Sequence, residues 1–442
     1  MGCSTRVRCV IATSSSVPPT DGASANECTP PNGCGRVRHT CSTQAGSDGS
    51  VQLDIFCELE RAEPKWSREG EAGLIADSLA QAKLADDLGY GCWWTVEHHG
   101  CGEFSLSSTP ELFNVLVSQH TSRIRIGHSG VLAPFTINHP IRVAERAGFL
   151  DVVSGGRLEM GCARSGFGEV RNYLLDTEMM RPQLRELFHM LPRMWNEEDF
   201  SWKSDLIEIP EINIVPKPLQ RPHPPLWQMC ISRESFEMAG ALGVGAIGTT
   251  LLEPIESLAA LHGVYHDGLR STETRVSDIV NDQFGIFTFV HCAESKEAAI
   301  RHRAGEAVLW YINAVPRAFR TPRRVMIDSF RNRYSPGGAL AALNAGQVVD
   351  DEDWDIDDPV PVIRLLNRQL MGLPLDPDEV YEVLAPLDAV IVGDADVCLA
   401  KMACFADIGV QRLLCFQQLG GLAQDHVLDS MSRLAKEVMP YL

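Results

Sequence analysis

From Val51 onward, short continuous apolar runs alternate with longer stretches whose apolar residues recur at helical spacing. Runs of about four to eight β-branched and aromatic residues read as buried strands, and apolar positions at i, i+3 and i+4 read as amphipathic helices. The runs fall at 51–57, 92–96, 124–132, 157–163, 226–231, 245–249, 284–291 and 411–416. Helices are predicted over Gly73–Leu88, Pro110–Ser122, Pro140–Val153, Arg181–Trp195, Ser235–Leu242, Ile255–Leu269, from Ser295, over Asp396–Ala406 and over His426–Val438. Gly89 supplies a helix stop and Pro140 a helix start. Strand–helix alternation predicts a parallel sheet, and eight such units predict an α/β fold closed into a (β/α)₈ TIM barrel. Two excursions interrupt the rhythm. One is the proline-rich Phe200–Pro225 after the fourth unit, where Ile207–Ile209 and Ile212–Ile214 alternate as a hairpin would. The other is a long lid-like insertion before the last strand, 314–386.

Residues 1–50 follow neither pattern. They are rich in Ser, Thr, Gly and Pro and carry five cysteines without CxxC spacing. Such a segment buries too little apolar surface to offset its ordering entropy. It reads as a disordered extension or a misassigned start, with the barrel over 51–442. The net charge of -19 argues against nucleic acid as a partner. No apolar run approaches membrane-spanning length. Cysteines scattered through apolar strands, with no convincing export signal, point to a reducing cytoplasm.

Chemistry-bearing residues gather at predicted strand ends, where a barrel builds its active site. The second strand ends in Glu97-His98-His99. Histidine titrates near neutrality and serves as general acid or base, although two hydrogen-bonded loop histidines would look the same. His98, His99 and Cys101 could be combined as metal ligands, but adjacent strand residues face opposite ways, and no metal is expected. Asn138 reads as the N-cap of the following helix, with His139 structural. Arg164 ends the fourth strand and suits an anion or a rim salt bridge. Ser232-Arg233-Glu234-Ser235 follows the fifth strand and opens a helix, as a phosphate site or a plain cap would. Gly243-Val-Gly245-Ala-Ile-Gly248 matches GxGxxG but runs into a strand, so it is no dinucleotide fingerprint. Phe104, Phe167 and Trp202 could line an apolar pocket or simply pack in the core.

Together these motifs resemble the bacterial luciferase-like flavin monooxygenases. The resemblance rests on Val96-Glu97-His98-His99, His139-Pro140, and Ser154-Gly155-Gly156-Arg157-Leu158 leading to Gly161 and Arg164. It also rests on the Trp310-Tyr311 helix, Val392-Gly393-Asp394 and the closing Glu437-Val438-Met439-Pro440. It implies a monooxygenase that takes reduced FMN from a separate flavin reductase and adds dioxygen to it as a C4a-peroxide, which oxidises a small, apolar organic substrate. It implies His98 and Glu97 as catalytic residues, and Arg164, Ser232 and Ser235 as phosphate contacts. Ser129-Gly130 falls where the family often carries a cis peptide beneath the flavin ring. A homodimer is implied by the same analogy. Ala163 stands where luciferase has a cysteine, and 314–386 differs, so light emission and the aldehyde substrate do not carry over. A deazaflavin-dependent hydride transfer without oxygen and a non-catalytic flavin-binding partner subunit are the alternatives.

Overall fold

A computed structural model describes the chain from Val51 to Leu442, apart from residues 61, 63–66, 103, 272–273, 319–322, 325–326 and 328–354. The expectation for residues 1–50, and that for 314–386 where it falls on residues 319–322, 325–326 and 328–354, lies outside the described residues. In chain order the elements are β1 (Gln52–Cys57), α1 (Arg68–Leu88), β2 (Cys92–Thr95), α2 (Pro110–His120), β3 (Arg125–Leu132), α3 (Pro140–Val153) and β4 (Leu158–Ala163). Then come α4 (Phe167–Asn172), α5 (Thr177–Asn196), β5 (Phe200–Lys203), β6 (Glu208–Ile212), β7 (Leu226–Met229), α6 (Arg233–Leu242) and β8 (Gly245–Thr249). They are followed by α7 (Ile255–Leu269), β9 (Phe284–Cys292), α8 (Lys296–Arg301), α9 (Ala304–Ala318), α10 (Pro361–Leu370) and α11 (Pro377–Leu384). The chain closes with β10 (Val390–Gly393), α12 (Ala395–Asp407), β11 (Arg412–Phe416) and α13 (Gln424–Arg433).

Strands β1, β2, β3, β4, β7, β8, β9 and β11 pair in that order, all parallel, and β11 returns to β1. The barrel is therefore closed, as the eight apolar runs predict. Two elements differ from the sequence reading. The hairpin pairs β5 with β6 rather than Ile207–Ile209 with Ile212–Ile214. Phe200 buries itself and Trp202 packs half-buried on the core, so the alternation Phe-Ser-Trp-Lys supplies the second arm. The short run Val390–Gly393 is a further strand, lying on the C-terminal half of β9 outside the ring.

Side chains alternate along a strand, and β1 sends Asp54, Phe56 and then Glu58 to one side at rising height. Asp54 closes the lower end. Its carboxylate accepts from Arg412 Nε at 2.9 Å and Nη2 at 3.0 Å, and from Trp94 Nε1 at 2.8 Å. Glu159 accepts from Trp227 Nε1 at 2.6 Å and from Arg125. The two indoles meet edge to face at 5.4 Å. Gly127 makes room for them, since a Cβ there would lie 2.2 Å from the Trp94 ring. Phe56 forms the next layer, stacked on Phe287 at 4.4 Å and edge-on to Phe416. Glu58 tops the row at the end where strands terminate.

Candidate active site

The second strand stops at Thr95, and the chain turns across the barrel mouth through Glu97, His98 and His99. Glu97 is a buried tie between elements. One oxygen accepts from Asn138 Nδ2 at 2.8 Å and lies 3.0 Å from His99 Nε2; the other accepts from the Leu132 amide at 3.0 Å. Burial disfavours its charge, but His99, the nearby His128, Asn138 and that amide outweigh it and hold the carboxyl below its usual range. Asn138 is thus not the cap of α3. His139 is the N-cap, accepting from the Ile141 amide, while the Asn138 side chain is drawn to Glu97.

His98 sits among carboxylates. Nδ1 lies 3.4 Å from Glu169 on α4, and Nε2 lies 3.7 Å from Glu58. Burial works against the imidazolium, but the hydrogen bond to Glu169 and the charges of Glu58, Glu169 and Glu97 raise its pKa above the ordinary histidine value. Glu169 moves the opposite way: burial is outweighed by His98 and the His99 amide, and its carboxyl stays low. Glu58 is pushed up, because burial outweighs the attraction of His98 and the hydrogen bond from Tyr311 Oη at 3.1 Å. The arrangement favours the charged form of the His98 imidazole and of the Glu169 carboxylate bonded to it, and the protonated form of the Glu58 carboxyl behind it. Phe104, buried, meets His98 edge-on at 6.1 Å.

At the ends of β4 and β7 the character reverses. Arg164, Arg181, Ser232, Ser235 and Gln228 line one hollow, with Ile231 and the apolar side chains of Met229, Met238 and Leu184 around them. Burial and the neighbouring Arg181 lower the pKa of Arg164, while Glu234 opposes them. Two guanidinium groups that repel each other around an open space at the start of α6 suit an anion. The hydroxyl of Ser235 serves the turn itself, donating to the Ser232 carbonyl at 2.6 Å and accepting from the Ser232 and Ile231 amides. Between the two regions, the Ser129–Gly130 peptide in β3 is cis. Ser129 is buried, its hydroxyl 3.3 Å from Met229 Sδ. A Cβ on Gly130 would meet the Cys162 carbonyl carbon and Met229 Cγ at 2.8 Å, so only glycine fits against β4.

The family model of the luciferase-like monooxygenases matches residues 61–412. The chain belongs to that family. Among the chain's relatives is the oxygenase component of flavin-dependent trigonelline monooxygenase from Acinetobacter baylyi. It is 26% identical over 252 residues, covering 56% of this chain and 67% of the relative. Solved structures share the barrel. The oxygenating constituent of 3,6-diketocamphane monooxygenase from Pseudomonas putida, in complex with FMN, superposes with a TM-score of 0.64 at 16% identity, covering 89% of this chain and 99% of that one. An F420-dependent secondary alcohol dehydrogenase with an F420-acetone adduct superposes at 0.60 with 14% identity, covering 88% and 98%.

His98, Arg164 and Ser232, named from the sequence, lie at the barrel mouth; Glu58, Glu169 and Arg181, which stand beside them, are not named as site residues, and Tyr311 is named only as part of a motif and not as a partner of Glu58. Glu169 rides on a six-residue helix opened by Phe-Gly, too short to show periodicity. Arg181 sits where the predicted helix begins, although α5 starts at Thr177, and only the packing of α5 turns it toward Arg164. Glu58 could be found by extending the alternation of β1 one step past its last apolar residue.

Proposed function

We propose that this chain is the oxygenase component of a two-component flavin monooxygenase, taking reduced FMN from a separate reductase and using dioxygen to oxidise a small organic substrate. The observation that carries this reading is the division of one barrel mouth. An arginine-lined hollow at β4 and β7 suits the phosphate of a flavin nucleotide, while an imidazole held between two carboxyl groups stands at the end of β2. The donor set fits: Arg164 and Arg181 would pair with a phosphate, and Ser232 at the start of α6 would complete the cradle. Gly130 and Ser129 would lie beneath the ring system.

When bound, reduced flavin supplies the electrons that activate dioxygen. The residues of the chain do the rest. His98 would hold a proton at Nδ1 toward Glu169 and present the charged ring to negative charge developing in the site. Glu58, whose burial favours its protonated form, would keep Nε2 facing a carboxyl group rather than water. Glu97 fixes the loop so that His98 keeps its aim. Names of relatives that include "monooxygenase" and "oxygenase component" support the oxygen chemistry and the separate reductase.

Anaerobic titration of the full chain with reduced FMN and with a reduced deazaflavin, followed by mixing with oxygenated buffer, tests this. Binding of reduced FMN with an oxygen-dependent absorbance transient is expected. Tight deazaflavin binding with hydride transfer and no oxygen uptake would replace the proposal with the chemistry of the F420-dependent neighbours. Binding of neither would remove the phosphate assignment.

A further inference from the structure

The loop after β2 carries a thiol beside His98. Cys101 lies between Gly100, which adopts a positive φ of 68°, and Gly102. Its Sγ is 3.9 Å from Glu169 Oε1, the same oxygen that lies 3.4 Å from His98 Nδ1. One ligand atom from each of His98, Cys101 and Glu169 falls within 4.8 Å of the others, the one such group among the described residues. A tetrahedral Zn²⁺ bound by thiolate, imidazole and carboxylate holds its donor atoms roughly 3.3–3.6 Å apart. The cluster is therefore within about half an ångström of that spacing on two of its edges, and the glycines flanking Cys101 let the thiol close the rest.

Two further features belong to a metal site. Metal-bound histidines characteristically turn their second nitrogen to a carboxylate, and Glu58 Oε2 faces His98 Nε2 at 3.7 Å with no hydrogen-bond partner. Glu169, fully buried, also keeps Oε2 without a partner. The donor set of one sulfur, one imidazole nitrogen and one carboxylate oxygen suits a borderline-soft, redox-inert divalent ion, and three protein ligands leave a fourth position open.

We propose that His98 Nδ1, Cys101 Sγ and Glu169 Oε1 form a binding site for Zn²⁺. Binding displaces the Cys101 thiol proton and the His98 Nδ1 proton to solvent. An occupied site takes His98 out of proton transfer, and this consequence alone rests on the function proposed above. The chain would then be inhibited by zinc at the residue it uses for chemistry.

Cobalt(II) reports the site without flavin or turnover, through the near-ultraviolet charge-transfer band of a cobalt–thiolate bond. The parent is the full chain with Cys3, Cys9, Cys28, Cys34, Cys41 and exposed Cys404 changed to serine. One equivalent of Co²⁺ should give the band, and one equivalent of Zn²⁺ should abolish it. Cys101→Ser should lose the band, and Glu169→Gln should weaken Co²⁺ binding at least tenfold, with circular dichroism confirming that both fold. Zn²⁺ should inhibit turnover of the parent, and Cys101→Ser should lose that sensitivity. Absence of the band in the parent, or its persistence in Cys101→Ser, overturns the site. A band without zinc inhibition overturns the proposed consequence while leaving the flavin reading intact.

Discussion

The two ends of the barrel interior handle buried charge in opposite ways. At the lower end every oxygen of Asp54 and Glu159 has a donor, from Arg412, Trp94, Arg125 or Trp227. At the mouth, Glu58 Oε2, Glu60 Oε2 and Glu169 Oε2 are buried without hydrogen-bond partners. A buried polar atom left unpaired costs about 1–3 kcal/mol. A chain that satisfies its charges fully at one end and leaves several open at the other is spending stability where a guest or a proton is to be handled. The lower cluster is a plug, and the upper one is the candidate site. The mouth divides again, carboxylates facing His98 on the β1–β2 side and arginines facing the hollow on the β4–β7 side.

Breaking each region in turn should separate the two roles. The largest effect is expected from Arg412→Met, which leaves Asp54 buried without its cation. Stability should fall by about 3–5 kcal/mol, read by denaturant unfolding, while flavin affinity of the folded fraction stays unchanged. Burial resists the charge on Arg412, but Asp54 and Glu159 hold its pKa above the guanidinium range, so this loss should be nearly constant near neutral pH. His98→Ala should reverse the pattern, cutting turnover with reduced flavin by roughly 10²- to 10⁴-fold, with an unfolding midpoint close to that of the parent. Arg181→Ala should sit between them. Loss of a charged hydrogen bond is worth about 1.5–3 kcal/mol, so FMN should bind about 10- to 150-fold more weakly while riboflavin, which lacks the phosphate, binds as before. An equal loss for both ligands would move the phosphate elsewhere.

The smallest effect is on pH dependence. The pKa of His98 is raised in the folded chain, so its pairing contributes stability fully below the unfolded histidine value of about 6.5 and loses it as pH rises through the folded value. Glu97 and Glu169 are lowered, so their contributions are present above the unfolded carboxyl value and vanish as pH falls through the folded one. The stability difference between the parent and His98→Gln should therefore be greatest at mildly acidic pH and shrink toward alkaline pH. Thermal melts across that range would show it, and a difference growing with pH would contradict the assigned partners.

How much of this was legible in the sequence follows from which forces act locally. The eight barrel strands announce themselves because a strand buried on both faces must be continuously apolar. β10 escapes notice because its four residues follow a proline-rich stretch. His98 is legible as a polar residue breaking an apolar run. Its partners are not, since Glu169 is 71 residues away in sequence and Tyr311 joins Glu58 across 253 residues. Ser232 and Ser235 look alike in the sequence, yet the geometry of the turn commits the Ser235 hydroxyl to backbone groups. Asn138 looks like a helix cap because its type favours caps, and the buried Glu97 carboxylate outcompetes that role. Barrel closure supplies what local pattern cannot.

The most direct test of a mouth divided between binding and proton handling is a paired measurement on His98→Ala in the full chain. Anaerobic reduced-FMN affinity and the lifetime of the absorbance transient after mixing with oxygen would be compared with the parent. Unchanged affinity with an altered transient is expected, because on the proposed reading the arginine hollow binds the flavin and His98 acts afterwards. Weakened FMN binding with an unchanged transient would contradict the division, and would make His98 part of the cradle rather than of the chemistry.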